Sequence, residues 1–172
     1  MCSKYNIENL KFVRDWFNNI DATKGIGEDL FLSISQLTPI INVDLFIKNK
    51  HDEILLTWRS DEYYGPGWHV PGGVLRYKET LMERAKKVAI NELGLDLSKI
   101  EGPVDHHEAF NFTRNIRGHF ISSIFFSQIN KNPSKSKKAG AKPKNGDWKW
   151  FKTCPEKFIK NQNFLKSYFH DA

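Results

Sequence analysis

Apolar residues recur along this chain at two spacings, near four residues and at two, and the segments they mark alternate in the order of an α/β protein. Ile7, Leu10, Val13 and Phe17 share one side of a helix over residues 7–19, and a second helical stretch runs from about Glu28 to Gln36 before Pro39 stops it. Ile40–Lys48 then reads as a strand, and Glu53–Arg59 as a second one reached through the polar turn Asn49-Lys50-His51-Asp52. Gly65, Pro66 and Gly67 mark residues 60–67 as a loop, and His69–Leu75 is extended around Pro71-Gly72-Gly73. The next helix has the strongest signals. Thr80-x-x-Glu83 forms a capping box for its first free N–H groups. Leu81, Ala85, Ala89 and Leu93 repeat every four residues as its buried stripe, and Gly94 ends it in a left-handed conformation. Strands follow at Val104–Phe112, His119–Gln128 and Trp148–Phe151, and Pro155–Phe169 reads as a closing helix. There is no internal repeat and no linker to a second domain.

Composition narrows the class. At 172 residues the chain suits one domain with a single buried core. An apolar fraction of 40%, with five Trp and thirteen Phe, excludes a disordered chain. No apolar run approaches the ~18 residues of a membrane span, and Met1-Cys2-Ser3-Lys4-Tyr5 lacks the apolar core of a signal peptide. Cys2 and Cys154 have no metal-ligand spacing, so the expected location is a reducing cytoplasm. A net charge of +6 suits an anionic partner, either a phosphorylated small molecule or nucleic acid. Lys131, Lys135, Lys137, Lys138, Lys142 and Lys144 lie in a stretch without acids. That stretch is expected to be a mobile solvated loop, with a phosphate-meeting flap as the functional alternative.

The candidate chemistry lies between the glycine pair and the end of the best-marked helix. Two glycines let the backbone turn tightly and present its carbonyls and N–H groups without side-chain obstruction. Mg²⁺ takes six oxygen ligands and usually binds through one or two carboxylates plus substrate phosphate and water. Gly73, Glu79, Glu92, Gly94 and Leu95 fit the spacing G-x5-E-x7-R-E-U-x-E-E-x-G-U, where U is bulky and aliphatic. Lys87, Val88 and Asn91 stand where that pattern has Arg, Glu and Glu. Of the three clustered carboxylates only Glu92 remains. In this box the sequence resembles the Nudix hydrolase superfamily, which implies an α/β/α sandwich with a mixed central β-sheet.

Within the superfamily the losses resemble those of the GDP-mannose mannosyl hydrolases, whose box also keeps only the last glutamate. Glu28-Asp29, Thr38-Pro39, Val43-Asp44, Phe46-Ile47, Leu55-Leu56-x-x-Arg59 and Gly67-x-x-Val70-Pro71-Gly72-Gly73 are similar as well. The resemblance covers roughly residues 28–153, leaving 1–26 as an N-terminal helical extension to a domain over 27–172. It implies a Mg²⁺-dependent hydrolase of a nucleoside-diphosphate sugar, with water attacking the anomeric carbon and the nucleoside diphosphate leaving. By the same resemblance Gly72 and Glu92 would hold Mg²⁺, Asp44 would lie near the base and Arg59 would face the diphosphate. Lys87 stands at a phosphate-contacting arginine, and Arg76, two residues on, would replace an arginine missing at Val74. His106 and His107 compete for a histidine that contacts the leaving group. A homodimer is also implied, and the N-terminal helices are the candidate contact surfaces for it.

Some positions depart from that branch. Its metal-binding Gln and catalytic His align with Lys144 and Asn145, and a tyrosine hydroxyl is lost at Phe120. The base is therefore open among His69, His106, His107 and His119. The alternatives are a Nudix diphosphatase acting on another nucleoside diphosphate derivative and a catalytically weak nucleotide-sugar binder. Nucleic acid, suggested only by the lysine stretch, is not the expected partner.

Overall fold

The computed structural model describes residues 7–169; Cys2 and the start of the chain lie outside the described residues. The helices are α1 (Ile7–Phe17), α2 (Glu28–Ile34) and α3 (Leu81–Val88), and α3 continues as a wider π-type turn over Ala89–Leu93. The strands are β1 (Ile40–Lys48), β2 (Ile54–Arg59), β3 (Gly67–His69), β4 (Gly72–Val74), β5 (Glu101–Phe110), β6 (His119–Gln128) and β7 (Trp148–Phe151). A 3-10 segment, Lys160–Tyr168, follows.

These seven strands form one mixed sheet in the order β3-β2-β1-β6-β5, with β4 added to β1 and β7 to β2. β1 runs parallel to β6 along its whole length, from Ile40↔Phe120 to Lys48↔Gln128. On its other edge β1 meets β2 only at Lys48↔Ile54, and its first half pairs with β4 instead. That register sets Asp44 opposite Gly72 and Val43 opposite Gly73. The sheet is therefore parted between β1 and β2, and the glycine pair fills the gap.

Successive side chains of a strand face opposite sides, and β1 uses both. Val43, Leu45 and Ile47 pack with Leu55 and Phe125 against Ala85, Val88, Ala89 and Leu93 of α3 and its extension. Phe46 packs with Ile54, Leu56, Trp58, Trp68 and Ile124 against Phe158, Leu165 and Phe169 from the C-terminal stretch. The result is the α/β/α sandwich, with a core on each side of the sheet. Asp44 has the same parity as Phe46, so it faces the C-terminal layer.

Local signals account for α3. The Thr80 hydroxyl accepts the Glu83 N–H at 3.2 Å, and the Glu83 carboxylate accepts the Thr80 N–H at 2.8 Å. Gly94 ends the helix with φ 65°, and a Cβ there would come within 2.5 Å of the Ser134 hydroxyl. The lysine stretch supplies that contact. Its Ser134 N–H donates to the Leu93 carbonyl at 2.9 Å, and the Ser134 hydroxyl donates to the Gly94 carbonyl at 2.9 Å. It closes the helix end and does not line the cleft described below.

Two expectations change. The closing helix is instead a 3-10 segment interrupted at Gln162 (φ −107°, ψ 17°), whose side chain turns inward to the sheet. The extended stretch His69–Leu75 splits into β3 and β4 where Val70-Pro71 crosses the parted sheet. The helix expected over residues 7–19 is present as α1, and its Leu10, Val13 and Phe17 are exposed, with Phe12 and Trp16.

Candidate active site

A cleft of about 600 Å³ opens on the C-terminal face of the sheet where β1 and β2 part. Asp44, Gly72, Gly73 and Ser122 line it from the sheet, Arg59 and His69 from β2 and β3, and Lys160 and Gln162 from the C-terminal segment.

Asp44 is buried at 2% exposure. Its carboxylate accepts a short hydrogen bond from the Ser122 hydroxyl and another from Gln162 Nε2 at 2.8 Å. Burial pushes its pKa up to about 6, against the opposing hydrogen bonds of Ser122, Asn42 and Gln162. Gln162 also joins the layers: its Oε1 accepts the Val70 N–H at 2.8 Å and its Nε2 reaches the Val70 carbonyl at 3.1 Å. Gly72 is required here by space, because a Cβ would lie 2.6 Å from Asp44 Oδ1 and 2.7 Å from the Val43 carbonyl.

Behind Gly72, the partly buried Glu92 accepts the Gly72 N–H. Burial raises its pKa to about 7, opposed by the Arg59 charge and the Gly72 bond and reinforced by Asp44. Val88 is 3% exposed in the α3 core and Asn91 is exposed, so Glu92 is the carboxylate this helix brings toward the cleft. Arg59 pairs closely with Asp61 and stacks over Tyr64 at 4.6 Å. His69 donates from Nδ1 to the Thr57 carbonyl at 2.8 Å, which fixes its tautomer. Burial first, and Arg59 second, lower its pKa to about 4, so it is neutral at pH 7.

Of the residues singled out in the sequence, the fold gathers Asp44, Arg59, His69 and Gly72 in the cleft, with Glu92 behind Gly72 and outside the lining. Lys87 is directed to Glu79, with Nζ 2.8 Å from Oε1, and Arg84 closes on the same carboxylate. Burial opposes the charge on Glu79, but Lys87, the Arg76 N–H and Arg84 hold its pKa below the usual carboxylate range. Arg76 is exposed and lies beside Gly25. His106 meets the Ser123 hydroxyl at 3.0 Å, and His107 meets Tyr168 Oη at 3.0 Å and Asp105 at 3.2 Å; neither lines the cleft. Lys144 and Asn145 build a turn through Asp147 and the Ser60 N–H and do not line it either. Sequence reasoning missed Gln162, Ser122 and Tyr64. A polar residue inside an expected helix or strand carries no mark of facing a cleft.

The NUDIX domain model matches residues 38–161. The chain belongs to the Nudix family. Among curated proteins, this Nudix chain is 33% identical over 107 residues to the low-salt glycan biosynthesis protein Agl8 of Haloferax volcanii, over 60% of this chain and 67% of that one. Among solved structures it is similar to a MutT NUDIX hydrolase from Burkholderia pseudomallei, with TM-score 0.59 and 17% identity over 76% of this chain and 97% of that one. It is also similar to the NUDIX domain of Shewanella oneidensis NrtR in complex with ADP ribose, with TM-score 0.52 and 18% identity over 80% and 81% of the two chains. These two likenesses are of fold. No helix among the described residues is long and apolar enough to cross a membrane.

The donor set of this Nudix site can be tested against the divalent ion the family implies. Among the described residues no group of three or more His, Cys, Asp or Glu side chains could hold a metal. Gly72 at the cleft wall, with Glu92 behind it, fits a sparser site. A backbone carbonyl and a desolvated carboxylate are hard oxygen donors, and Mg²⁺ completes its octahedron with water and substrate phosphate.

Proposed function

We propose that this Nudix protein hydrolyses a nucleoside-diphosphate sugar resembling GDP-mannose, with water attacking the anomeric carbon and the nucleoside diphosphate leaving. The observation that supports this reading is that the box keeps a single carboxylate, Glu92, behind the cleft residue Gly72, with Val88 in the core and Asn91 in solvent. Attack at phosphorus is commonly served by a metal-activated water between clustered carboxylates, whereas attack at carbon needs charge stabilised mainly on the departing diphosphate. The glycan-biosynthesis name of the Haloferax relative points the same way. In this reading the domain runs over 27–172, with 1–26 as an extension.

The residues take the following parts. Gly72 and Glu92 would hold Mg²⁺, which when bound neutralises charge on the diphosphate. Arg59 binds the diphosphate and stabilises the charge it gains as the glycosidic C–O bond breaks. Asp44, fixed by Ser122 and Gln162, accepts hydrogen bonds from the nucleoside. Of the four histidines weighed as bases, His69 is the one that lines the cleft. Its Nδ1–H is committed to Thr57, so its Nε2 lone pair is the one that can take a proton from the attacking water.

Hydrolysis in ¹⁸O-labelled water with Mg²⁺ is the test. Label in the released sugar is expected, and label in phosphate would overturn attack at carbon in favour of a diphosphatase. A nucleotide-sugar binder with little turnover is favoured by one specific observation: Lys144 and Asn145 are turned away from the cleft. Tight binding without turnover across a nucleotide-sugar panel would establish that reading.

A further inference from the structure

Three guanidinium groups converge on one ring at the mouth of the cleft. The Cζ atoms of Arg59, Arg114 and Arg117 lie 4.6, 5.1 and 5.1 Å from the centroid of the buried Tyr64 ring. Two of the three already have a polar partner in the protein. Arg59 is paired with Asp61 and lines the cleft, where the reading above gives it the diphosphate. Arg114 does not line the cleft; it donates from Nη2 to the Tyr63 carbonyl at 2.7 Å, and its buried Nη1 has no partner.

Arg117 is different. It lines the cleft. Its guanidinium is enclosed by the rings of Phe31, Tyr63 and Tyr64 at 5.2, 5.2 and 5.1 Å. Its side-chain hydrogen bond is a long one, from Nε to the Tyr64 hydroxyl at 3.5 Å, and among the described residues neither Nη is bonded. No acid among the described residues is ion-paired with it. Glu28 and Glu62 act on the Tyr63 hydroxyl, and Glu108 lines the cleft as well. The backbone holds Arg117 in the left-handed region, φ 53°, with its N–H on the Ser35 hydroxyl at 3.0 Å. A bulky residue takes that conformation only where its surroundings impose it.

A guanidinium flanked by aromatic faces is partly compensated by their quadrupoles. Its in-plane N–H groups still call for an acceptor, and its fork matches a carboxylate in two parallel hydrogen bonds. We propose that Arg117, walled by Phe31, Tyr63 and Tyr64, is a second anion subsite of the cleft that takes the carboxylate of an acidic sugar on the glycosyl half of the substrate. The inference rests on the nucleotide-sugar reading above and narrows it to nucleotide-linked uronic acids. In that reading the diphosphate is taken by Arg59, which leaves Arg117, also in the cleft lining, for a second anionic group.

Calorimetric titration with Mg²⁺ and two matched pairs, GDP-mannose with GDP-mannuronate and UDP-glucose with UDP-glucuronate, tests the subsite. The full-length protein is expected to bind the uronate of at least one pair about tenfold or more tightly than its neutral partner, the scale of one charge-assisted hydrogen-bonded contact. Arg117→Gln should bring that ratio toward one, and Arg117→Lys, which keeps the charge without the fork, should leave an intermediate ratio. The ratio separates lost recognition from lost folding, since a misfolded variant loses both ligands together. A neutral sugar bound as well as its uronate, or a ratio unchanged in Arg117→Gln, overturns the subsite while leaving the nucleotide-sugar reading intact. Binding of none of the four overturns that reading and the subsite with it.

Discussion

Asp44 and His69 face the same cleft and respond to pH with opposite sign. Asp44 has its pKa raised by burial from 3.8 to about 6. The folded state therefore holds its proton more tightly, and the stability this provides is complete below pH 3.8 and lost as pH rises through 6. Above that range the buried charge costs up to about 3 kcal/mol. In Asp44→Asn the amide oxygen still accepts from Gln162, and the Ser122 hydroxyl can turn from donor to acceptor. The variant is expected to melt higher than the parent at pH 7.5, with little difference near pH 4, and to bind nucleotide sugar more weakly. His69 has its pKa lowered from 6.5 to about 4, so the unfolded chain takes its proton first. Its contribution is complete above pH 6.5 and lost as pH falls toward 4. With Asp44 neutralised, thermal unfolding followed from pH 4 to 6.5 should rise with pH, and substituting His69 by Gln in that background should flatten the slope.

At the scale of elements, α3 decides how many carboxylates are brought toward the cleft. The box spacing was legible because capping, the four-residue stripe and the terminal glycine are all local signals. The π-type turn at Ala89–Leu93 was not, since its wider pitch leaves no mark in composition. The structure separates the two lost acids. Val88 is 3% exposed and packed against Gly73, whereas Asn91 is in solvent. Restoring the first, Val88→Glu, should cost about 2–4 kcal/mol in urea denaturation without divalent ions, because a charge enters the core. Asn91→Glu should stay within about 0.5 kcal/mol. Equal effects would mean that the two positions are not buried differently. The C-terminal stretch shows the converse: its apolar residues read as helical, yet burying Phe158, Leu165 and Phe169 while turning Gln162 inward requires a tighter, interrupted 3-10 path.

Across the whole molecule Gln162 binds the layers together. It ties Asp44 of β1 to Val70 across the parted sheet, with three hydrogen bonds at 2.8, 2.8 and 3.1 Å. Gln162→Ala leaves the Val70 N–H and the Asp44 carboxylate short of partners, which should cost about 1–3 kcal/mol. Hydrogen exchange at Val70 is expected to speed up by more than global destabilisation accounts for, and exchange that follows global unfolding alone would remove Gln162 from this role. The sequence by itself determined the central strands, the capped helix, the glycine pair and the family, because each is written in spacings of a few residues that fix local backbone energy and the face a side chain takes. Only the tertiary structure decided that Gln162 meets Asp44 from 118 residues away and that three arginines share one tyrosine. Such meetings depend on how two layers close over a sheet, and no periodicity along the chain reports on a partner so distant.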